Sequence, residues 1–329
     1  MRRLKPNCRD SHEDASVVLD IRDGRMKRLA ACWSPMRSSD RPFVLPRNLV
    51  EAAKQDGREA WLGTLPTTVA TLVERWSLTV GAPFQPGGQT AWVAPVRDAT
   101  GNEMVMKVGW RHPESLHEAE GLRALAGQGA VRLYAIEELG DTAALLLEVS
   151  RPGSALASRP EEEQDLVVSD LLRRLWSVPT PGHPFRSLQV MCDQWADEFE
   201  MKVAGGRGSL DPGLVREGIA LFRSLPSTAD REVLLCTDLH AENVLAAEGE
   251  PWLLIDPKPY IGDPTYDPLQ HLLNCEERLR ADARGLASRL ADLLDLDRDR
   301  LVLWLFARCV QESPDSPLLS EIALQLAPR

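Results

Sequence analysis

The stretch LLCTDLHAENVLAAEGEPWLLIDPKP, Leu234 to Pro259, constrains this chain more than any other. An apolar run stops at Cys236-Thr237-Asp238, Asn243 follows five residues after that Asp, and a second apolar run, Trp252 to Ile255, ends in Asp256. Short apolar runs bounded by polar turn residues read as buried strands. Whatever fold the chain adopts must therefore deliver two carboxylates and an amide to turns at strand ends. Asp and Asn are common in turns for local reasons alone, so the rest of the chain has to decide whether these carry chemistry.

The rest of the chain is organised in blocks. Residues 1–41 carry ten Lys/Arg and six Asp/Glu, net +4 against −11 for the whole, which leaves −15 for the remainder. Apart from Ser16–Ile21 they show no sustained apolar period, so we read them as a poorly ordered leader, with Met36 as an alternative translation start. Two helical patterns follow. RNLVEAAKQDGREAWLG has Asn48 as N-cap and Glu51 three residues on, and TTVATLVERWSL puts Val69, Leu72, Val73 and Trp76 on one face. Antiparallel hairpins come next: SLTVGAPF, the turn QPGGQT, AWVAPV, the turn RDATGN and EMVMKVGW. PESLHEAEGLRALAG reads as a helix with Leu116, Ala119, Leu122 and Leu125/Ala126 inward, stopped at Gly127 and Gly129. AVRLYAIEEL and TAALLLEVS are two more strands, and RPGSAL breaks the pattern.

Beyond that break the chain turns helical, at Glu161–Trp176, Leu188–Val203, Pro212–Leu225 and everything after Asp267. The layout is α+β: a five-strand sheet with one helix, then a mostly helical lobe interrupted by the Leu234–Pro259 stretch. We place the leader at 1–41, a nucleotide-binding lobe with its preceding helices at 42–150, and a catalytic and substrate-binding lobe at 151–329.

Composition removes several functions. The scattered cysteines, Cys8, Cys32, Cys192, Cys236, Cys275 and Cys309, form no CxxC pair, which argues against zinc and a disulfide framework and fits a reducing cytoplasm. The net negative charge disfavours a nucleic-acid surface. LVLWLFARCV is too short to span a bilayer and contains Arg308, so no membrane partner is expected.

Phosphoryl transfer explains the opening stretch. It needs a base for the attacking hydroxyl, a metal held by oxygen ligands, and a cation on the nucleotide phosphates. Asp-x-x-x-x-Asn is the spacing of a kinase catalytic loop, with Asp238 as base and Asn243 on the metal, and Asp256 as second metal ligand. Upstream, EMVMKV carries Lys107 within a strand, suited to the nucleotide phosphates. Glu118, or alternatively Glu120, on the following helix would be its partner. The loop Gly87-Gly88-Gln89-Thr90 could lay backbone N–H groups on phosphates. Glu148 and Val149, in LLLEVSRPGSAL, fall where a hinge would meet adenine. Each element alone is an ordinary structural feature, and their order along the chain carries the assignment.

On these motifs the chain resembles the aminoglycoside/hydroxyurea antibiotic-resistance kinases, the streptomycin 6-phosphotransferase-like branch of the aminoglycoside phosphotransferases. The matching stretches include PFQPGGQTAWVAPV, MVMKVGWRHPESLHEAEGLRAL, LLCTDLHAENVL and WLLIDPKPYIGDPTYDPLQHLLN. The resemblance implies a bilobal protein-kinase-like fold and ATP- and Mg2+-dependent phosphorylation of a small hydroxyl-bearing molecule, streptomycin-like or hydroxyurea. A monomer is the favoured state. The resemblance assigns Lys107 to the α/β-phosphates with Glu118 holding it, Asp238 as base, and Asn243 and Asp256 as magnesium ligands. His240 would support the loop or the ligands, or simply pack as scaffold. Asp267 would brace the loop from the following helix. The wider superfamily usually carries His-Gly before the base, where this chain has Cys236-Thr237. Cys236 ends a buried strand without a motif-placed base, against a nucleophile. Asp193, Asp197, Glu198, Glu276 and Glu277 are the acidic candidates for a cationic acceptor. Alternatives are a metabolic kinase of choline, homoserine or fructosamine type and a nucleotide-binding pseudokinase module.

Overall fold

A computed structural model describes residues 43–182, 184–208 and 210–328. The leader read at 1–41, with its Met36, Cys8 and Cys32, lies outside the described residues. The described chain forms two compact units, residues 43–109 and residues 110–328. That division follows packing. The lobes read at 42–150 and 151–329 follow catalytic role, and the two divisions do not coincide.

The first unit opens with α1 (Arg47–Gln55) and α2 (Glu59–Arg75). Gly57, at φ +67°, breaks the single helical pattern expected over Arg47–Gly63, and α2 absorbs the second pattern. Val69 and Leu72 are buried as the periodicity predicts. Asn48 is not an N-cap: Pro46 takes that place, and Asn48 is helical. Its amide nitrogen instead donates to the Gly87 carbonyl at 2.9 Å and its backbone N–H to the Pro86 carbonyl at 3.0 Å. A tertiary acceptor has won over the local cap. Glu51 pairs with Arg47.

β1 (Thr79–Val80), β2 (Ala91–Arg97) and β3 (Glu103–Trp110) form an antiparallel ladder. Buried Met104, Met106 and Val108 alternate with half-buried Val105 and Lys107, so the lysine lies on the less buried face of β3. It stands opposite Val93.

The second unit begins with a turn at Pro113–Ser115 and α3 (Glu118–Leu125). Ala119, Leu122 and Leu125 are buried, but Leu116 is 42% exposed in the turn before the helix, and Ala126 is left-handed and exposed past its end. The helix is shorter at both ends than its apolar pattern. β4 (Leu133–Leu139) and β5 (Thr142–Glu148) pair as an antiparallel hairpin.

The helices follow as expected: α4 (Glu161–Trp176), α5 (Leu188–Ala204) and α6 (Pro212–Ser224). Four short strands come next: β6 (Val233–Leu235), β7 (Val244–Ala246), β8 (Trp252–Leu254) and β9 (Tyr260–Gly262). α7 (Leu269–Asn274), α8 (Glu276–Leu294), α9 (Arg298–Glu312) and α10 (Pro317–Leu326) complete the unit. The apolar run LVLWLFARCV is α9, buried almost all round and packed against α6, α8 and α10. Gly218 lets α6 approach it, since a Cβ there would lie 2.6 Å from that of Val310. Arg308 is tolerated in this core because its guanidinium lies 4.4 Å over the Trp195 ring and pairs with Glu312. Among the described residues no helix is long and apolar enough to cross a membrane.

Candidate active site

The two apolar runs of the opening stretch are not partners. β6 pairs with β9, and the β7·β8 hairpin is nested between them in sequence. The Asn243 carbonyl accepts the Ile255 N–H at 2.8 Å, closing the hairpin just before Asp256. This nesting gathers the ends of β6 and β8 and the start of β7, and with them Asp238, Asn243 and Asp256.

The loop after β6 is fastened on two sides. Buried Asp267 accepts the backbone N–H groups of Cys236 (3.0 Å) and Thr237 (2.8 Å), and its other oxygen accepts the Trp176 indole N–H at 3.0 Å. Burial raises its pKa to about 6, against the pull of these hydrogen bonds. The bracing role read for Asp267 is present. On the other side, the Lys258 N–H donates to the Cys236 carbonyl (3.1 Å), and the Thr237 hydroxyl donates to the Lys258 carbonyl (2.9 Å).

Thr237 takes φ +48°. A β-branched residue there is strained, which accounts for glycine being the usual occupant. The hydroxyl bond to Lys258 offsets the strain. Thr237→Val keeps the shape and removes only that bond, leaving the part-buried Lys258 carbonyl without its donor. We expect a loss of about 1–3 kcal/mol in urea unfolding. An unchanged midpoint would show that the bond contributes nothing.

Asp238 is half-buried, and its Oδ2 lies 2.6 Å from Lys258 Nζ. Asn243 Nδ2 donates to the Asp238 carbonyl at 3.1 Å and lies 3.5 Å from the same Oδ2. Lys258 also lies 3.7 Å from Glu114, in the turn before α3. Burial works against the ammonium, but the charges of Asp238, Asp256 and Glu114 outweigh it and hold its pKa above the usual lysine value. Arg186 ties that turn to β9, donating to the Pro113 carbonyl and, at 2.5 Å, to the Tyr260 hydroxyl. Gly121 of α3 packs on Pro259, where a Cβ would lie 3.1 Å from the ring. His240 Nδ1 is buried with no hydrogen-bond partner among the described residues, and burial pushes its pKa down against the pull of Asp238 and Glu242.

The donor set fits magnesium better than a metal held by protein alone. Among the described residues no three His, Cys, Asp or Glu side chains could hold a metal ion. Magnesium bound with a nucleotide keeps waters and phosphate oxygens and needs only one or two protein oxygens. With its amide nitrogen donating to the Asp238 carbonyl, Asn243 could offer its oxygen to such an ion, and Asp256 could offer a carboxylate.

The remaining candidates take these places. In the first unit, Gly87 has φ +78°, and a Cβ there would meet Pro46 at 2.4 Å, so only glycine fits. Gly88 and Gln89 are exposed, and Thr90 leads directly into β2. Lys107 lies on the neighbouring β3. In the second unit, Glu118 is the buried first residue of α3. Glu148 ends β5, its N–H bonded to the Arg132 carbonyl, with Val149 next. Cys236 is fully buried and its thiol pushed far up by desolvation and by Asp267, which fits no nucleophile. Asp193 and Asp197 pair with Arg223, and Glu198 accepts from Gln194. Glu276 and Glu277 begin α8.

Sequence reasoning missed Lys258. Its only signal was a lysine held between Pro257 and Pro259, two residues after a carboxylate.

Comparison with known proteins agrees with this geometry. Residues 75–314 match the model of the aminoglycoside/hydroxyurea antibiotic resistance kinases. Streptomycin 6-kinase of Streptomyces griseus is 36% identical over 288 residues, spanning 84% of this chain and 92% of that protein. Hydroxyurea phosphotransferase of Kitasatospora aureofaciens is 39% identical over 279 residues, 81% of this chain and 78% of that one. Among solved structures, choline kinase LicA of Streptococcus pneumoniae superposes with a TM-score of 0.54 at 12% identity, covering 79% of this chain and 95% of the other. At that identity the likeness speaks for the protein-kinase-like fold alone. The chain is an enzyme, a small-molecule phosphotransferase with an alcohol group as acceptor. It belongs to the aminoglycoside/hydroxyurea antibiotic resistance kinase family.

Proposed function

We propose that the protein transfers the γ-phosphoryl group of ATP to a hydroxyl of an antibiotic, a streptomycin-like aminoglycoside or hydroxyurea, and so inactivates it. The observation that carries this reading is the half-buried Asp238 carboxylate, fastened beside Asn243 and close enough to Asp256 for both carboxylates to act on Lys258. Asp238 accepts the acceptor's hydroxyl proton as the new oxygen–phosphorus bond forms and the bond to ADP breaks. Asn243 and Asp256 hold magnesium, which when bound neutralises charge on the phosphate oxygens. The glycine loop 87–90, Lys107, Glu118 and the hinge at Glu148 and Val149 keep the nucleotide-holding roles that the family pattern gives them. Every catalytic position is filled, which speaks against a pseudokinase.

The acceptor is tested in a sensitive host. Expression is expected to confer resistance to streptomycin or to hydroxyurea, and the purified protein to release ADP from ATP with that same compound only when magnesium is present. Resistance to neither, with ADP release on choline or a fructosamine instead, would move the enzyme to a metabolic role.

A further inference from the structure

We propose that Lys258 is a positioning residue of this active site: its ammonium anchors one oxygen of the Asp238 carboxylate so that the other receives the acceptor's proton. The inference rests on Asp238 being the base. A carboxylate on a single Cβ–Cγ bond can rotate and exchange its two oxygens. Here Oδ2 is held by Lys258 Nζ at 2.6 Å, with Asn243 Nδ2 at 3.5 Å. Among the described residues nothing bonds Oδ1, so it is the oxygen left to meet a hydroxyl. The acceptor's O–H proton passes to Oδ1 as its oxygen bonds to phosphorus and ADP leaves.

Lys258 is built for this. Its backbone N–H and carbonyl are both bonded to the loop that carries Asp238, through Cys236 and Thr237. The two side chains therefore spring from one fastened unit, and their separation does not depend on a flexible surface loop. Glu114 lies 3.7 Å from the same ammonium. A lysine engaged by the carboxylates of Asp238 and Glu114 acts through the base. One that reached the phosphates directly would have to leave these partners.

A double-mutant cycle separates the two roles, using Mg-ATP with streptomycin and hydroxyurea in parallel as acceptors. Lys258→Met is expected to lower kcat about 10- to 100-fold while the KM for ATP stays within about twofold. Lys258→Arg, which keeps the charge, is expected to recover much of the loss. Asp238→Asn alone is expected to lower kcat about 1,000-fold. Lys258→Met added to Asp238→Asn is expected to cost nothing further, because the residue it acts through has lost its function. Losses that multiply in the double variant would overturn the inference, as would a fully active Lys258→Met protein or an arginine that restores nothing. If Lys258→Met fails to fold, Lys258→Gln carries the same comparison. A fully active Asp238→Asn protein would sink the base and this inference with it. An inactive Asp238→Asn beside a fully active Lys258→Met sinks this inference alone.

Discussion

Asp238→Ala and Asp238→Asn are both expected to lower phosphoryl transfer by about three orders of magnitude, with ATP affinity within about twofold of the parent. The two variants differ in what they leave behind. Alanine removes the carboxylate that stands 2.6 Å from Lys258 and leaves the ammonium to the pull of Glu114 and Asp256. Asparagine keeps the shape and the contact with Asn243 but cannot accept a proton as a carboxylate does. If proton acceptance is what matters, the two losses are alike. If the carboxylate serves only as a hydrogen-bond acceptor for Lys258, asparagine keeps most of the turnover and alanine does not. Turnover at saturating ATP, with nucleotide affinity measured separately, distinguishes these outcomes, and wild-type turnover in either variant removes Asp238 from the chemistry.

Asp256→Asn is expected to lower kcat/KM about 100- to 1,000-fold, the range given by losing several kcal/mol of metal-borne charge stabilisation. Asparagine is the right substitution because Asp256 takes φ +54°. Asn tolerates that left-handed backbone, whereas alanine would add strain to the loss of charge. The deciding measurement is ATP binding with and without magnesium. Binding in its presence should weaken, and binding in its absence should be unchanged or slightly tighter, since a negative charge near the phosphates is gone. Equal weakening in both conditions would show that Asp256 shapes the loop and holds no metal.

That the candidate residues come together was legible because it depends on spacing along the chain. Asp238 and Asn243 lie on one loop, five residues apart, and Asp256 ends the next apolar run. α4 was legible to the residue because a long 3.6-residue period between Pro160 and Ser177 has no rival reading. Strand pairing was not. β6, β7, β8 and β9 have three residues each, too few to show alternation, so nothing local says that β6 seeks β9 and not β8. Asn48 misled for a related reason: its sequence neighbours describe a cap, while its actual acceptor, Gly87, is thirty-nine positions away. Lys258 was invisible as a site residue because its meaning lies in the carboxylates around it. A lysine between prolines otherwise reads as a solvated turn.

The grip of α1 on the glycine loop also bears on the thermodynamics of nucleotide capture. Fixing a loop residue's backbone costs about 1–2 kcal/mol, and a mobile phosphate loop must meet that cost each time ATP arrives. Here Asn48 holds the Pro86 and Gly87 carbonyls, Arg47 bonds the Gln85 side chain, and Pro46 fills the space beside Gly87. The ordering is therefore completed when the chain folds. If this loop holds the phosphates as proposed, ATP would meet a loop already ordered, and more of its contact energy would be left to appear as affinity.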